Sequence, residues 1–208
     1  MSKLLYVKVN PKQDADSYSA RLAGGFLEAY QESHPQDEII TLDLYKEDIP
    51  FLDVDVFSAW GKFAAESELS PTELEKVQRM NELTDQFLAV DKVVFSAPFW
   101  NLSFPPMMKA YLDTIVVAGK TFKYTEQGPV GLVPNKPVLL VEARGGHYSD
   151  GPAAAMEFSY SYLKTIMNFI GIQSFQHLLV EDLSVDPTKA EQLLEDALVR
   201  ARELAPGF

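Results

Sequence analysis

Hydrophobic positions along the chain follow two alternating rhythms. Five short runs are apolar or β-branched almost throughout: Leu4–Val9, Glu38–Leu44, Lys92–Pro98, Pro137–Ala143 and Phe175–Glu181. Stretches such as Val138-Leu-Leu-Val141 do not alternate with polar residues, which is the pattern of parallel strands covered on both faces. Between the runs, apolar residues recur at helical spacing. Tyr18–Gln31 carries Leu22, Phe26 and Tyr30; Thr72–Leu88 carries Val77, Met80, Leu83 and Phe87. Pro106–Val117 carries Tyr111, Leu112 and Ile115; Met156–Phe169 carries Tyr160, Leu163 and Met167; Thr188–Leu204 carries Leu193, Leu194 and Ala197. Strand followed by helix, five times over, predicts an α/β fold. The expected form is one domain over residues 1–208, a doubly wound five-stranded parallel sheet of order 2-1-3-4-5 with helices on both faces. Ligands in such sheets bind outside the carboxyl ends of the strands.

Two segments exceed that frame. Tyr45–Ser70 is long, acidic and aromatic (Phe51, Phe57, Trp60, Phe63), and loops of that length are often functional. Thr121–Val133 holds a turn-like Glu126-Gln-Gly-Pro129 between β-type residues and predicts a small hairpin.

Composition narrows the function. The formal charge of −12 points away from nucleic acid, which needs a basic face, and from anionic membrane surfaces. The chain has no cysteine, which excludes disulfides, thiolate metal sites and cysteine nucleophiles. No apolar run approaches the roughly 18 residues of a membrane span, and Met1–Val9 lacks a signal-peptide pattern, so a cytoplasmic protein is expected. His34, His147 and His177 show no metal-ligand spacing, and no metal is expected. Ala118-Gly-Lys-Thr121 imitates the end of a P-loop, but Thr114 stands where its first glycine belongs.

Three loops at predicted strand ends carry the candidate chemistry. The first, Asn10–Ser19, is rich in hydroxyls and opens a helix, so it can offer Ser17, Ser19 and backbone N–H groups to a phosphate. Taken alone it reads first as an ordinary helix N-cap, and Asp14 and Asp16 weigh against an anion. The second, Ala97–Pro106, sets Phe99, Trp100 and Phe104 around the single amide of Asn101, suited to a flat ring with carbonyls and ring nitrogens. A self-packed aromatic loop explains it equally well. The third, Arg144–Pro152, opens with Gly145-Gly146, whose N–H groups can approach a ligand closely or simply make a turn. All three loops meet at one place in this topology. A phosphate site beside two loops flanking a planar ring describes FMN.

Pro98-Phe-Trp-Asn-Leu-Ser-Phe-Pro-Pro106, Ala118–Gly131 and Ala143-Arg-Gly-Gly146 resemble the FMN-dependent NADH:azoreductase and NAD(P)H:quinone oxidoreductase family, notably its Bacillus-type members. The resemblance implies a flavodoxin-like fold, a homodimer, and one FMN per subunit. It implies ping-pong hydride transfer from NADH or NADPH to quinones, and reductive cleavage of aromatic azo compounds to amines. It assigns the phosphate to Ser17, Tyr18 and Ser19, and the flavin ring to Phe99, Trp100, Asn101 and Leu102 with Ala143, Arg144, Gly145 and Gly146. Tyr124 and Phe169 correspond to aromatics lining the acceptor pocket. Asn10 stands where some members have serine, Leu102 where phenylalanine is common, and His147 where an apolar or aromatic residue is usual. An acidic FMN electron carrier that docks protein partners is the alternative; the aromatic insertion and the hairpin favour an enclosed enzyme pocket.

Overall fold

A computed structural model describes residues 1–208. Five parallel strands form the central sheet: β1 (Lys3–Lys8), β2 (Glu38–Asp43), β3 (Lys92–Pro98), β6 (Val138–Ala143) and β7 (Phe175–Val180). Their spatial order is β2-β1-β3-β6-β7, the expected 2-1-3-4-5 when the sheet strands alone are counted. The strands are apolar throughout because both faces are covered. Leu5, Val7, Val93, Phe95, Val138 and Leu140 point to one side, into a core with α3 (Pro71–Ala89), α4 (Pro106–Ile115) and α5 (Tyr160–Ile170). Leu4, Tyr6, Val94, Leu139 and Val141 point to the other, against α1 (Tyr18–Ser33) and α6 (Ala190–Leu204). The period of two along each strand divides the molecule into these two cores.

The insertion is not an open loop. Val54–Ala64 forms helix α2, capped by Asp53 Oδ1, which accepts from Asp55 N and Val56 N at 3.1 and 3.2 Å. α2 packs on α3 and leaves Phe57, Trp60 and Phe63 about half exposed. The predicted hairpin is present as β4 (Phe122–Thr125) and β5 (Gly128–Gly131). It docks on the end of α5, where a Cβ on Gly131 would come within 2.3 Å of Gly171 N, so only glycine allows the approach. No helix is long and apolar enough to cross a membrane.

Candidate cofactor site

The first predicted loop follows β1 and leads into α1. Ser17 caps α1, its Oγ accepting from Ala20 N at 3.3 Å. Asn10 Nδ2 donates to the same oxygen at 2.7 Å, and Ser19 Oγ lies 3.1 Å away. A hydroxyl has two lone pairs and one proton. With both lone pairs of Ser17 occupied by Asn10 and Ala20, its O–H can only donate. Ser17 and Ser19 are buried, yet the N–H groups of Tyr18 and Ser19 meet no acceptor in the protein, and they stand at the positive end of a sixteen-residue helix. The donor set therefore suits an anion, and the N-cap role coexists with it. The acidic neighbour Asp14 is neutralised by Lys8 at 2.6 Å, which also reaches Asp43 at 3.3 Å. Burial works against the Lys8 ammonium, but the two aspartates outweigh it and hold its pKa above the ordinary lysine value.

In the second loop, Trp100 and Ser103 exchange backbone hydrogen bonds at 2.6 and 3.0 Å across Asn101 and Leu102. Both central residues have positive φ, 48° and 70°, as a two-residue type I′ connection requires. Asparagine tolerates that conformation; leucine is strained in it. Loop backbone held in a disfavoured region is a common mark of a functional site.

In the third loop the carbonyls of Arg144, Gly145 and Gly146 accept from Leu183, Ser184 and Asp182 N–H groups at 3.3, 2.8 and 3.3 Å. The N–H groups of Gly145 and Gly146 have no partner in the protein. A Cβ on Gly145 would sit 2.8 Å from Ser184 Oγ. The guanidinium of Arg144 turns inward and is 2% exposed. It donates to Glu142 Oε2 at 2.8 Å and Glu157 Oε1 at 3.0 Å, and lies 5.0 Å over the Phe99 ring. Its charge is compensated inside the protein, and its plane supports the Phe99 ring.

The loops converge. A cavity of about 330 Å³ is lined by Ser17, Tyr18, Ser19, Phe99, Trp100, Ala143, Arg144 and Gly145 of the predicted set. Asn10, Lys12, Asp16, Pro98, Leu183 and Ser184 complete its walls. Asn101, Leu102 and Gly146 are adjoining loop residues outside the lining. Tyr124 and Phe169 lie elsewhere, joined through Phe122, whose ring centroid is 5.2 Å from Tyr124 and 4.7 Å from Phe169. Two larger surface depressions differ from it: one of about 610 Å³ continues from Asn10 and Lys12 over the ends of β1 and β2 with Tyr45 as its one aromatic, and one of about 490 Å³ lies between α1 and α6 with no aromatic lining. Among these further residues, Asn10 stands out in the sequence only as a departure from the family pattern, and Ser184 not at all. Asn10 closes the first strand and Ser184 follows the fifth, so the carboxyl-edge rule alone marks both positions.

Comparison with known proteins gives the chain its family. The profile of the flavodoxin-like fold family matches residues 2–205. The chain belongs to that family. An FMN-dependent NADH:quinone oxidoreductase of Bacillus velezensis is 52% identical, and one of Geobacillus kaustophilus 53% identical, each over the full length of both chains. The crystal structure of an azoreductase from Bacillus anthracis superposes with a TM-score of 0.93 at 39% identity, covering all of both chains. An FMN-dependent NADH-azoreductase from Bacillus anthracis, solved in complex with FMN, gives 0.93 at 35% identity and covers 99% of this chain and 98% of its own. Against this flavodoxin-like background, the cavity stands at the β1/β3 switch point where such sheets bind their ligands.

Proposed function

We propose that this chain is an FMN-dependent oxidoreductase that passes hydride from NADH or NADPH to quinones and reductively cleaves aromatic azo compounds to amines. The convergence of three strand-end loops on one cavity carries the reading, with anion donors at one end and aromatic rings at the other. Full-length relatives at about half identity support the same activity.

Bound FMN supplies the ring that takes up and gives up hydride. The protein holds and orients it. Ser17, Ser19 and the N–H groups of Tyr18 and Ser19 receive the phosphate, helped by the start of α1. Phe99, Trp100, Asn101 and Leu102 of one loop and Ala143, Arg144, Gly145 and Gly146 of the other would hold the ring, the cavity itself being lined by Phe99, Trp100, Ala143, Arg144 and Gly145. The free N–H groups of Gly145 and Gly146 offer donors where negative charge collects on reduction. Solvent supplies the protons.

The working unit is a cytoplasmic homodimer with one FMN per subunit. Phe57, Trp60, Phe63 and Phe158 are 59, 41, 54 and 54% exposed, an amount of aromatic surface that favours a partner. A second copy also gives Tyr124 and Phe169 a cavity to serve, since neither lines the one in their own subunit.

An absorption spectrum of the purified protein tests the function directly. Flavin bands are expected, bleached by anaerobic NADH and restored by a quinone. Colourless protein that takes up no added FMN would refute it.

A further inference from the structure

One ionisable side chain beside the cavity has no part in the function above. His147 follows Gly146 directly and is ringed by carboxylates. Its Nδ1 lies 3.0 Å from Asp182 Oδ2 and 3.4 Å from Glu181 Oε1, and its Nε2 lies 3.1 Å from Asp150 Oδ1. Asp182 holds a positive φ of 66°, a conformation that aspartate tolerates better than most residues, and its N–H donates to Gly146 O. The turn after β7 thus grips the flavin loop twice at one point, once through backbone and once through His147. Together with Leu183 and Ser184, it holds three successive carbonyls of residues 144–146 and so fixes the plane of the loop, while the N–H groups of Gly145 and Gly146 have no partners in the protein.

We propose that His147, as an imidazolium, is a positioning residue that clasps the Gly145–Gly146 loop to the Asp182 turn and so presents those two N–H groups to the cofactor. This rests on the FMN reading. The groups facing His147 are the carboxylates of Asp150, Glu181 and Asp182. Glu181 also accepts from Tyr148 N at 3.0 Å. The nearest other cation, Arg144, is 3.9 Å from Glu181 but is held more closely by Glu142 and Glu157. Three carboxylates around one imidazole leave an excess of negative charge, which favours the protonated ring. The hydrogen bond to Asp182, then that to Asp150, then the charge of Glu181 raise its pKa above 6.5, with only slight opposition from burial. Because the pKa is raised by the folded arrangement, the clasp is complete below about pH 6.5. It is lost as pH rises through the folded value.

The test is FMN dissociation from the holoprotein, followed by the return of flavin fluorescence on dilution, across pH about 6 to about 9. The wild type is expected to weaken about two- to five-fold toward alkaline pH, the range of an exposed ion pair, beyond any change shared with the variants. His147→Gln should bind at the weaker level with that component absent. His147→Lys, cationic throughout, should hold near the tighter level across the range. Thermal melting at each pH separates a weakened clasp from a misfolded chain. A His147→Gln profile parallel to wild type, or an imidazole NMR titration below 6.5, would overturn the proposal while leaving the FMN reading intact. Failure of every form to bind FMN would instead remove the reading on which it rests.

Discussion

Arg144 and Glu157 meet at 3.0 Å, and the contact joins the end of β6 to the start of α5. The Glu157 carboxylate also accepts the N–H groups of Ser159, Tyr160 and Ser161 at 2.8, 2.7 and 3.1 Å, so one side chain caps the helix and receives the buried guanidinium. Glu142, fully buried, receives the same guanidinium and the Ser159 hydroxyl. Phe99 rests on this assembly from the cavity side.

Arg144→Leu should therefore be costly. It removes the cation that Glu142 and Glu157 share, and loss of one partner of a buried pair costs about 3–5 kcal/mol. A lower urea midpoint at unchanged slope, the product of slope and midpoint falling by that amount, is the expected result. Arg144→Lys should recover only part, since a point charge cannot reach two carboxylates as a planar fork does. An unchanged midpoint for the leucine variant would show that the network adds nothing.

The second prediction concerns Asn10, whose amide fixes the direction of the Ser17 hydroxyl. Asn10→Asp cannot donate; it would draw the Ser17 proton back and add charge beside the phosphate position. A lost hydrogen bond to a charged group is worth about 1.5–3 kcal/mol, so the FMN dissociation constant should rise about ten- to hundred-fold. Riboflavin, which lacks the phosphate, should bind the variant and the wild type alike. Equal losses for both flavins would place the defect in the fold rather than in the phosphate cradle.

Much of this arrangement is legible in the sequence, for reasons that differ by element. Strands buried on both faces must be apolar throughout, and Lys92–Pro98 is found with the bounds its composition suggests. Pro105 and Pro106 mark the start of α4. The start of α5 is less visible. The apolar pattern begins at Met156, but Pro152–Met156 winds as a 3₁₀ turn and Glu157 caps the helix from Tyr160. α2 escapes detection because it sits inside a long acidic stretch and its three aromatics, Phe57, Trp60 and Phe63, face solvent where a core-facing stripe would be expected. Leucine gives no signal of a left-handed turn at position 102. The inward turn of Arg144 leaves only an indirect trace: Glu142 stands two residues earlier, on the same side of an extended chain.

Acid should loosen α2 before the sheet. Glu73 on α3 accepts from Lys62 Nζ at 2.8 Å and Ser58 Oγ at 2.6 Å, both on α2, and from Ser70 N at 2.6 Å. The Lys62 ammonium first, then these hydrogen bonds, lower its pKa to about 2. A depressed carboxylate stabilises the fold fully above its unfolded pKa, 4.5, and the contribution disappears as pH falls toward 2. Trp60 on α2 reports the change in a Trp100→Phe background that retains it as the single tryptophan. Its fluorescence should shift within that window. Glu73→Gln should start from a looser α2 and show a flatter acid response; an identical response would assign the transition to other groups.

Acceptor choice should rest on Tyr124. It is 75% exposed on β4, packs edge-on against Phe122 at 5.2 Å, and shares that ring with Phe169. An exposed aromatic beside other rings suits the face of a flat quinone or azo dye, and such stacking is worth about 0.5–1.5 kcal/mol beyond burial. Tyr124→Ala should therefore lower kcat/KM for large azo acceptors by about two- to ten-fold and for small quinones by less, with flavin occupancy unchanged. Because Tyr124 lies outside its own subunit's cavity, its effect should also depend on assembly. Dilution that separates two copies should make wild type and variant converge in acceptor preference. The decisive measurement is the azo-to-quinone ratio of kcat/KM for both proteins across concentration, with sedimentation run in parallel. A ratio that differs between them in fully monomeric protein would place Tyr124 at a site within one subunit and remove the reason for pairing it with a second copy.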